Sequence, residues 1–293
     1  MDRKPEVTQA MINAYDEYTH LHLDRRKFME RLTVLAGSGA AAAAIAPMLA
    51  ANGANAAVIA VDDDRLTTKS VVFPGTTGEM KAYWARPKSA SGPLGSIIVI
   101  HENRGLNEHI RDVARRAALE GFNALAVDFL SPVGGTPPDE DKAREMFSTL
   151  DPAKTAADGE AARVWLTGHE GANGKVGAVG FCWGGGLVNR MAVNSPELNA
   201  GVAYYGQQAP AADVPKIKAP LMLHYGGLDE RINAGIPAYR EALEKNGKTF
   251  EIFVYEGVNH AFNNDTSSAR YDKAAADLAW SRTTEFFKTN LAG

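Results

Sequence analysis

Beyond about residue 66 the chain alternates two rhythms of hydrophobicity. Short apolar runs rich in β-branched residues are SIIVIHE (96–102), NALAVDF (123–129), KVGAVGF (175–181), AGVAYYG (200–206), PLMLHYG (220–226) and FEIFVYEG (250–257). Longer stretches of helical period lie near 107–120, 139–148, 154–168, 184–194, 235–246 and 271–290. Most of the short runs are nearly continuous in hydrophobicity, as strands covered on both faces are. Strand then helix, repeated, predicts an α/β fold: a mostly parallel central sheet with helices on both faces. Ahead of these, TTKSVVFPG and GEMKAYWARP alternate polar and apolar residues and predict an antiparallel pair on the sheet edge. The last helix carries Tyr271, Ala275, Leu278, Arg282 and Phe286 at steps of three or four, a face for docking. No repeat or long linker interrupts 57–293, so a single domain is expected there. The stretch SPVGGTPPDED (131–141) is a candidate rim or lid.

The first 56 residues differ in kind. From Asp24 a paired arginine leads into a weakly apolar, Ala-rich stretch that ends at Ala54, Asn55 and Ala56, a small-x-small cleavage pattern. The segment 24–56 resembles a twin-arginine export signal, with Arg25, Arg26 and Phe28 in the matching places and departures at Asp24, Met29 and Glu30. That resemblance implies recognition by the twin-arginine export machinery, cleavage, and a periplasmic or otherwise exported protein. An uncleaved anchor is the alternative, since Leu32 to Ala51 has about the length of a membrane span.

Charge and cysteine content narrow the function classes. The formal charge is −4, and no run of five or six like charges occurs, so nothing offers a field for a nucleic-acid backbone. One cysteine among 293 residues excludes an internal disulfide.

That cysteine sits in GFCWGGG (180–186), directly after a predicted strand and before a predicted helix. A sharp strand-to-helix turn of the form G-x-S-x-G is the nucleophile elbow of α/β-hydrolases, and here it reads Gly180-Phe181-Cys182-Trp183-Gly184. Glycines on both sides leave room for the turn, and the helix directs its positive end at the sulfur. A nucleophile needs a base. Only His260 of the seven histidines lies beyond Asp229, and nucleophile, acid and histidine in that chain order is the order of this fold. Asp229 and His260 each follow a predicted strand, so Cys182, Asp229 and His260 are expected to meet at the carboxyl edge of the sheet.

The elbow GFCWGGG, the acid loop GLDERI, the histidine loop GVNHAF and the segment HENRGLNEHIRDVARRAALEGFNALAVDFL together resemble the dienelactone hydrolase (carboxymethylenebutenolidase) family over most of 66–290. The resemblance implies an α/β-hydrolase fold and hydrolysis of an enol-lactone, with no metal or organic cofactor. It also implies that Glu102 contacts the resting thiol and helps deprotonate it. Oxyanion donors are expected at the backbone N–H groups of Asn103 and Trp183. Family members often carry an arginine four residues beyond the histidine, where this chain has Asn264; Arg104, Arg144 and Arg270 are the candidates to replace it. A general carboxylesterase or thioesterase on the same triad, or a non-catalytic binding protein of the same fold, are the competing readings. A metal hydrolase is not indicated, because Gly105 stands where H-E-x-x-H needs its second histidine, and the Gly37-Ser38-Gly39 run lacks the preceding strand of a dinucleotide site.

Overall fold

In a computed structural model, residues 6–20, 23–50 and 58–293 are described. Three short helices come first, α1 (Gln9–His20), α2 (Arg25–Ala36) and α3 (Gly39–Leu49). The body follows as β1 (Leu66–Pro74), β2 (Glu79–Pro87), β3 (Leu94–Ile100), α4 (Glu108–Leu119), β4 (Asn123–Val127), α5 (Glu140–Phe147), α6 (Pro152–Thr167) and β5 (Ala172–Phe181). It closes with α7 (Trp183–Asn194), β6 (Ala200–Tyr204), β7 (Leu221–Gly226), α8 (Glu230–Asn233), α9 (Ile236–Lys245), β8 (Phe250–Tyr255) and α10 (Lys273–Asn290).

The eight strands form one sheet in the order β1-β2-β4-β3-β5-β6-β7-β8. From β4 to β8 every pairing is parallel, while β1 and β2 pair antiparallel at one edge and β2 meets β4 antiparallel. This is the α/β-hydrolase architecture. Strands β4, β6 and β7 are buried along their whole length, which explains their unbroken apolar runs. Strand β8 is the far edge and keeps part of its surface exposed, although its sequence is almost as apolar as those of the buried strands.

Two apolar layers sandwich the sheet. One packs Ile110, Val113 and Ala117 of α4 with Ala275, Ala279 and Phe287 of α10. The other packs Leu166 of α6, Val188 and Met191 of α7, and Tyr239 and Leu243 of α9. The docking face of α10 is rotated from the one its sequence predicts: Ala275, Ala276, Ala279, Thr283 and Phe287 are buried, whereas Leu278 is half exposed. Small residues win because the helix lies close to the sheet. A Cβ at Gly177 of β5 would come within 2.7 Å of the Phe287 ring.

The N-terminal helices have their own apolar cluster. Met11, Ile12, Tyr15 and Tyr18 of α1 pack with Phe28 and Leu32 of α2 and Ile45 and Leu49 of α3. Helix α2 ends at Gly37 in the left-handed conformation, Ser38 caps α3, and the two helices are bent by 113°. The Leu32 to Ala51 stretch is therefore broken, and no single helix among the described residues is long and apolar enough to cross a membrane. The Ala54–Ala56 cleavage pattern lies outside the described residues.

Candidate active site

The carboxyl ends of the central strands deliver the site. Cys182 joins β5 to α7 with φ 54° and ψ −113°, a left-handed backbone for a residue with a Cβ. The surrounding glycines explain how it fits. A Cβ on Gly180 would sit 2.2 Å from the Gly184 carbonyl oxygen, and one on Gly184 would meet the backbone oxygens of His101 and Ile100 at 2.5 Å. Among the described residues, positive φ outside glycine occurs at Cys182, Tyr205 and Ala261. All three lie at this site, so the backbone strain is concentrated here.

Asp229 follows β7 and His260 follows β8, and Asp229 Oδ2 lies 2.5 Å from His260 Nδ1. Asp229 also N-caps α8 by accepting from Ile232 N–H, which fixes the carboxylate in place. Both residues are about 4% exposed. With Nδ1 committed to Asp229, His260 Nε2 is buried and has no hydrogen-bond partner among the described residues. Ligand-capable atoms of Cys182, His260 and a third residue, His20, lie within 4.8 Å of one another. The three residues that the sequence singles out are thus brought together.

His20 is the residue the sequence reading missed. It ends α1, places Nε2 2.9 Å from Cys182 Sγ, and sets its ring edge-on to His260 with centroids 4.6 Å apart. Burial disfavours its charge, but the sulfur charge of Cys182 and the Asp16 carboxylate outweigh it and raise its pKa above the usual histidine value. Asp16, 3.0 Å from His20 Nδ1, is held well below the usual carboxylate range: the charges of His260, His20 and Arg231 overcome its burial. The local signal for this element was the spacing of Met11, Ile12, Tyr15 and Tyr18, an apolar stripe of helical period.

Glu102 lies in the same cavity, but its bonds are elsewhere. Its Oε2 accepts from Asn264 Nδ2 at 2.7 Å and its Oε1 from the Tyr205 hydroxyl at 3.3 Å, while the partner of the thiol is His20. Burial, with the charges of Glu102 and Cys182, pushes the Tyr205 hydroxyl well above the usual tyrosine value and keeps it a donor. Asn264 thus does different work from an arginine at this position: it holds Glu102. The neighbouring His101 is neutral because burial lowers its pKa; it takes the Phe129 N–H on Nε2 and is stacked on Trp183.

Trp183 opens α7, so its N–H is in the first turn, where no helical partner exists. Asn103 follows Glu102 in the loop after β3, and its side-chain amide donates to the Thr19 carbonyl at 2.9 Å. The three arginines all face α1. Arg104 pairs with Glu140 and donates to the Tyr15 hydroxyl, Arg270 lies over the Tyr15 ring, and Arg144 lies over the Tyr18 ring and donates to the Tyr18 carbonyl. The 131–141 stretch is part of this rim, since Asp141 accepts from the Tyr18 hydroxyl at 2.7 Å.

The trio His20, Cys182 and His260 has donor types that suit a soft metal ion. Two donors on one tetrahedral zinc stand about 3.3–3.8 Å apart. The 2.9 Å contact between Sγ and His20 Nε2 is instead that of a hydrogen bond.

A family model described as "Dienelactone hydrolase family" matches residues 80–291. Two relatives, each named "Putative carboxymethylenebutenolidase", are 33% identical. The one from Escherichia coli (strain K12) aligns over 246 residues, 79% of this chain and 90% of its own length. The one from Methylorubrum extorquens aligns over 277 residues, 89% of this chain and 93% of its own. The crystal structure of a Klebsiella pneumoniae protein named "Putative Dienelactone Hydrolase" matches with a TM-score of 0.69 at 32% identity, covering 76% of this chain and 98% of that one.

Proposed function

Because the chain belongs to the dienelactone hydrolase family, a family of hydrolases, we propose that it cleaves a carboxylic ester or lactone of dienelactone type through Cys182, His260 and Asp229. The observation that carries this reading is a strained elbow cysteine beside a histidine whose far nitrogen is held 2.5 Å from a buried aspartate.

The sulfur of Cys182, as thiolate, attacks the ester carbonyl. The tetrahedral oxyanion is received by the backbone N–H groups of Trp183 and Asn103. Collapse breaks the C–O bond, the leaving oxygen takes a proton from the His260 imidazolium, and a thioester remains on Cys182. Water then gives a proton to His260 Nε2 and attacks the thioester; the carboxylate product leaves and the thiolate is regenerated. Asp229 holds the ring so that Nε2 faces the reacting atoms. As substrate enters, the proton of a neutral thiol passes by way of Glu102, in the same cavity, to His260 Nε2 and makes the imidazolium used in the first step; the proton of the acid product goes to solvent. No step requires a metal or an organic cofactor.

A general carboxylesterase on the same triad is favoured by one observation: Asn264, where the family often has arginine, binds Glu102 and offers no positive charge to a substrate carboxylate. Comparing rates on a dienelactone and on uncharged aryl esters decides between the two, and Cys182→Ala must abolish both. Undiminished hydrolysis by that variant removes the nucleophile assignment.

Residues 1–56 are proposed to be an export leader read by the twin-arginine machinery, which makes the mature domain 57–293 a periplasmic or otherwise exported protein. In support, the side chains of Arg25 and Arg26 are largely exposed at the start of α2. An intact mass of the native protein equal to that of all 293 residues overturns cleavage.

A further inference from the structure

The cleft onto which Cys182 and His260 open is already filled by the chain itself. What is left of it is a cavity of about 10 Å³ lined by Thr19, His20, Glu102, Cys182, His260 and Arg270 among others. That volume is at the limit for one water molecule and admits no ester. Whatever the substrate, α1 must leave before it binds.

The contacts that hold α1 are those a substrate would use. The Thr19 carbonyl takes the Asn103 amide, in the loop that carries the second oxyanion donor. The Tyr18 carbonyl takes Arg144, the Tyr15 hydroxyl takes Arg104 at 2.6 Å, and the Tyr15 ring covers Arg270. All three arginines available to bind an anion are thereby engaged. Asp16 pairs with Arg231 at 3.3 Å, two residues beyond Asp229, and Gln9 donates to Asn259 at 2.6 Å, next to His260. The imidazole of His20 stands on the sulfur, against the His260 ring. A group attacked by the sulfur and served by His260 would have to enter the same space.

We propose that α1, Gln9–His20, is an intramolecular inhibitor that seals the active site until the N-terminal leader is released. The inference rests on the hydrolase reading for what is inhibited, but not for the seal itself. Helix α1 precedes Arg25 and Arg26, so a cut after Ala56 severs it from the body together with the export signal. Tethered, α1 competes at an effective concentration of order millimolar; severed, only at its own free concentration. The seal therefore fails on cleavage without any change in its contacts.

The test uses the full chain and two readouts, alkylation of Cys182 by iodoacetamide followed by mass spectrometry and hydrolysis of an uncharged aryl ester. Tyr15→Ala/Tyr18→Ala removes the side-chain contacts of α1 to Arg104, Arg270, Arg144 and Asp141 and is expected to raise both rates at least about tenfold, the worth of one charge-assisted hydrogen bond. A synthetic peptide of residues 6–23, added in excess to that variant, is expected to slow both again. His20→Ala is expected to speed alkylation and to leave ester hydrolysis equal or faster. Unchanged or slower alkylation in the double variant, with the circular dichroism of the body intact, overturns the seal. So does loss of ester hydrolysis in a folded His20→Ala chain, because His20 then belongs to the catalytic apparatus. Faster alkylation with no ester turnover in any variant leaves the seal standing and removes the hydrolase reading.

Discussion

Asn264 donates its side-chain amide to Glu102 across 2.7 Å, in a setting where both residues are buried. The amide cannot turn round, because its oxygen already accepts from the Thr266 backbone N–H and hydroxyl. Asn264→Asp replaces this donor with an acceptor and faces one carboxylate with another. The expected result is a loss of about 1.5–3 kcal/mol in unfolding free energy by urea titration at neutral pH, the cost of stranding a buried charged acceptor. A midpoint equal to that of the parent protein would show that Glu102 does not need this donor.

The 2.5 Å contact between Asp229 and His260 selects which nitrogen of the ring faces the sulfur. Asp229→Asn keeps the size of the side chain but allows the opposite tautomer, in which Nε2 carries the proton and cannot accept another. With α1 displaced by the substitutions at Tyr15 and Tyr18, this change is expected to lower kcat by about 10³- to 10⁴-fold. A loss smaller than tenfold would mean that His260 is oriented by something other than Asp229.

Much of this was legible in the order of residues. The strand runs and helix periods of 96–290 reappear as β3 to α10 with ends displaced by a few residues, because buried strands and amphipathic helices declare themselves locally. That Cys182, Asp229 and His260 lie near one another could be read from the sequence because their chain order is tied to the topology of the sheet. Helix α1 shows what local pattern leaves out. Its apolar stripe is readable, but the contact of His20 with Cys182 spans 162 positions and depends on the shape of the rim. The same holds for Glu102, whose partners Tyr205 and Asn264 come from loops after two other strands. The face of α10 was misjudged for a different reason: burial there follows how closely the helix approaches the sheet, and a stripe of alanine and threonine permits a closer approach than leucine does.

The glycines of the elbow make a sharp prediction, since the obstruction in each case is backbone. Gly180→Ala brings a methyl group within 2.2 Å of the Gly184 oxygen, and Gly184→Ala brings one within 2.5 Å of two carbonyl oxygens of the β3 end. Neither obstacle can rotate away. Each variant is expected to lose about 1–3 kcal/mol or more of stability by overpacking and, where it folds and α1 is displaced by the substitutions at Tyr15 and Tyr18, to hydrolyse esters poorly because Cys182 no longer holds its left-handed conformation. Gly186→Ala is the control: its Cβ would find its nearest neighbour at 3.6 Å, and it is expected to retain both properties.

The stability of the domain should depend on pH through His224, which lies in β7 away from the proposed chemistry. Its Nδ1 contacts the Tyr255 hydroxyl at 3.0 Å and its Nε2 the Thr283 hydroxyl at 3.2 Å. Complete burial, aided by the charge of Arg282, lowers its pKa to about 3. In the unfolded chain the same ring titrates near about 6.5. Between these values the unfolded state binds a proton that the native state refuses, so stability rises with pH across that window. The contribution is complete above about pH 6.5 and is lost as pH falls towards 3, with a slope of up to about 1.4 kcal/mol per pH unit for a single proton. His224→Gln keeps hydrogen-bonding capacity without a titrating ring. Urea unfolding of both proteins at several values between pH 7 and 4 is expected to show the steeper decline in the parent, and parallel slopes would show that His224 is protonated within the fold.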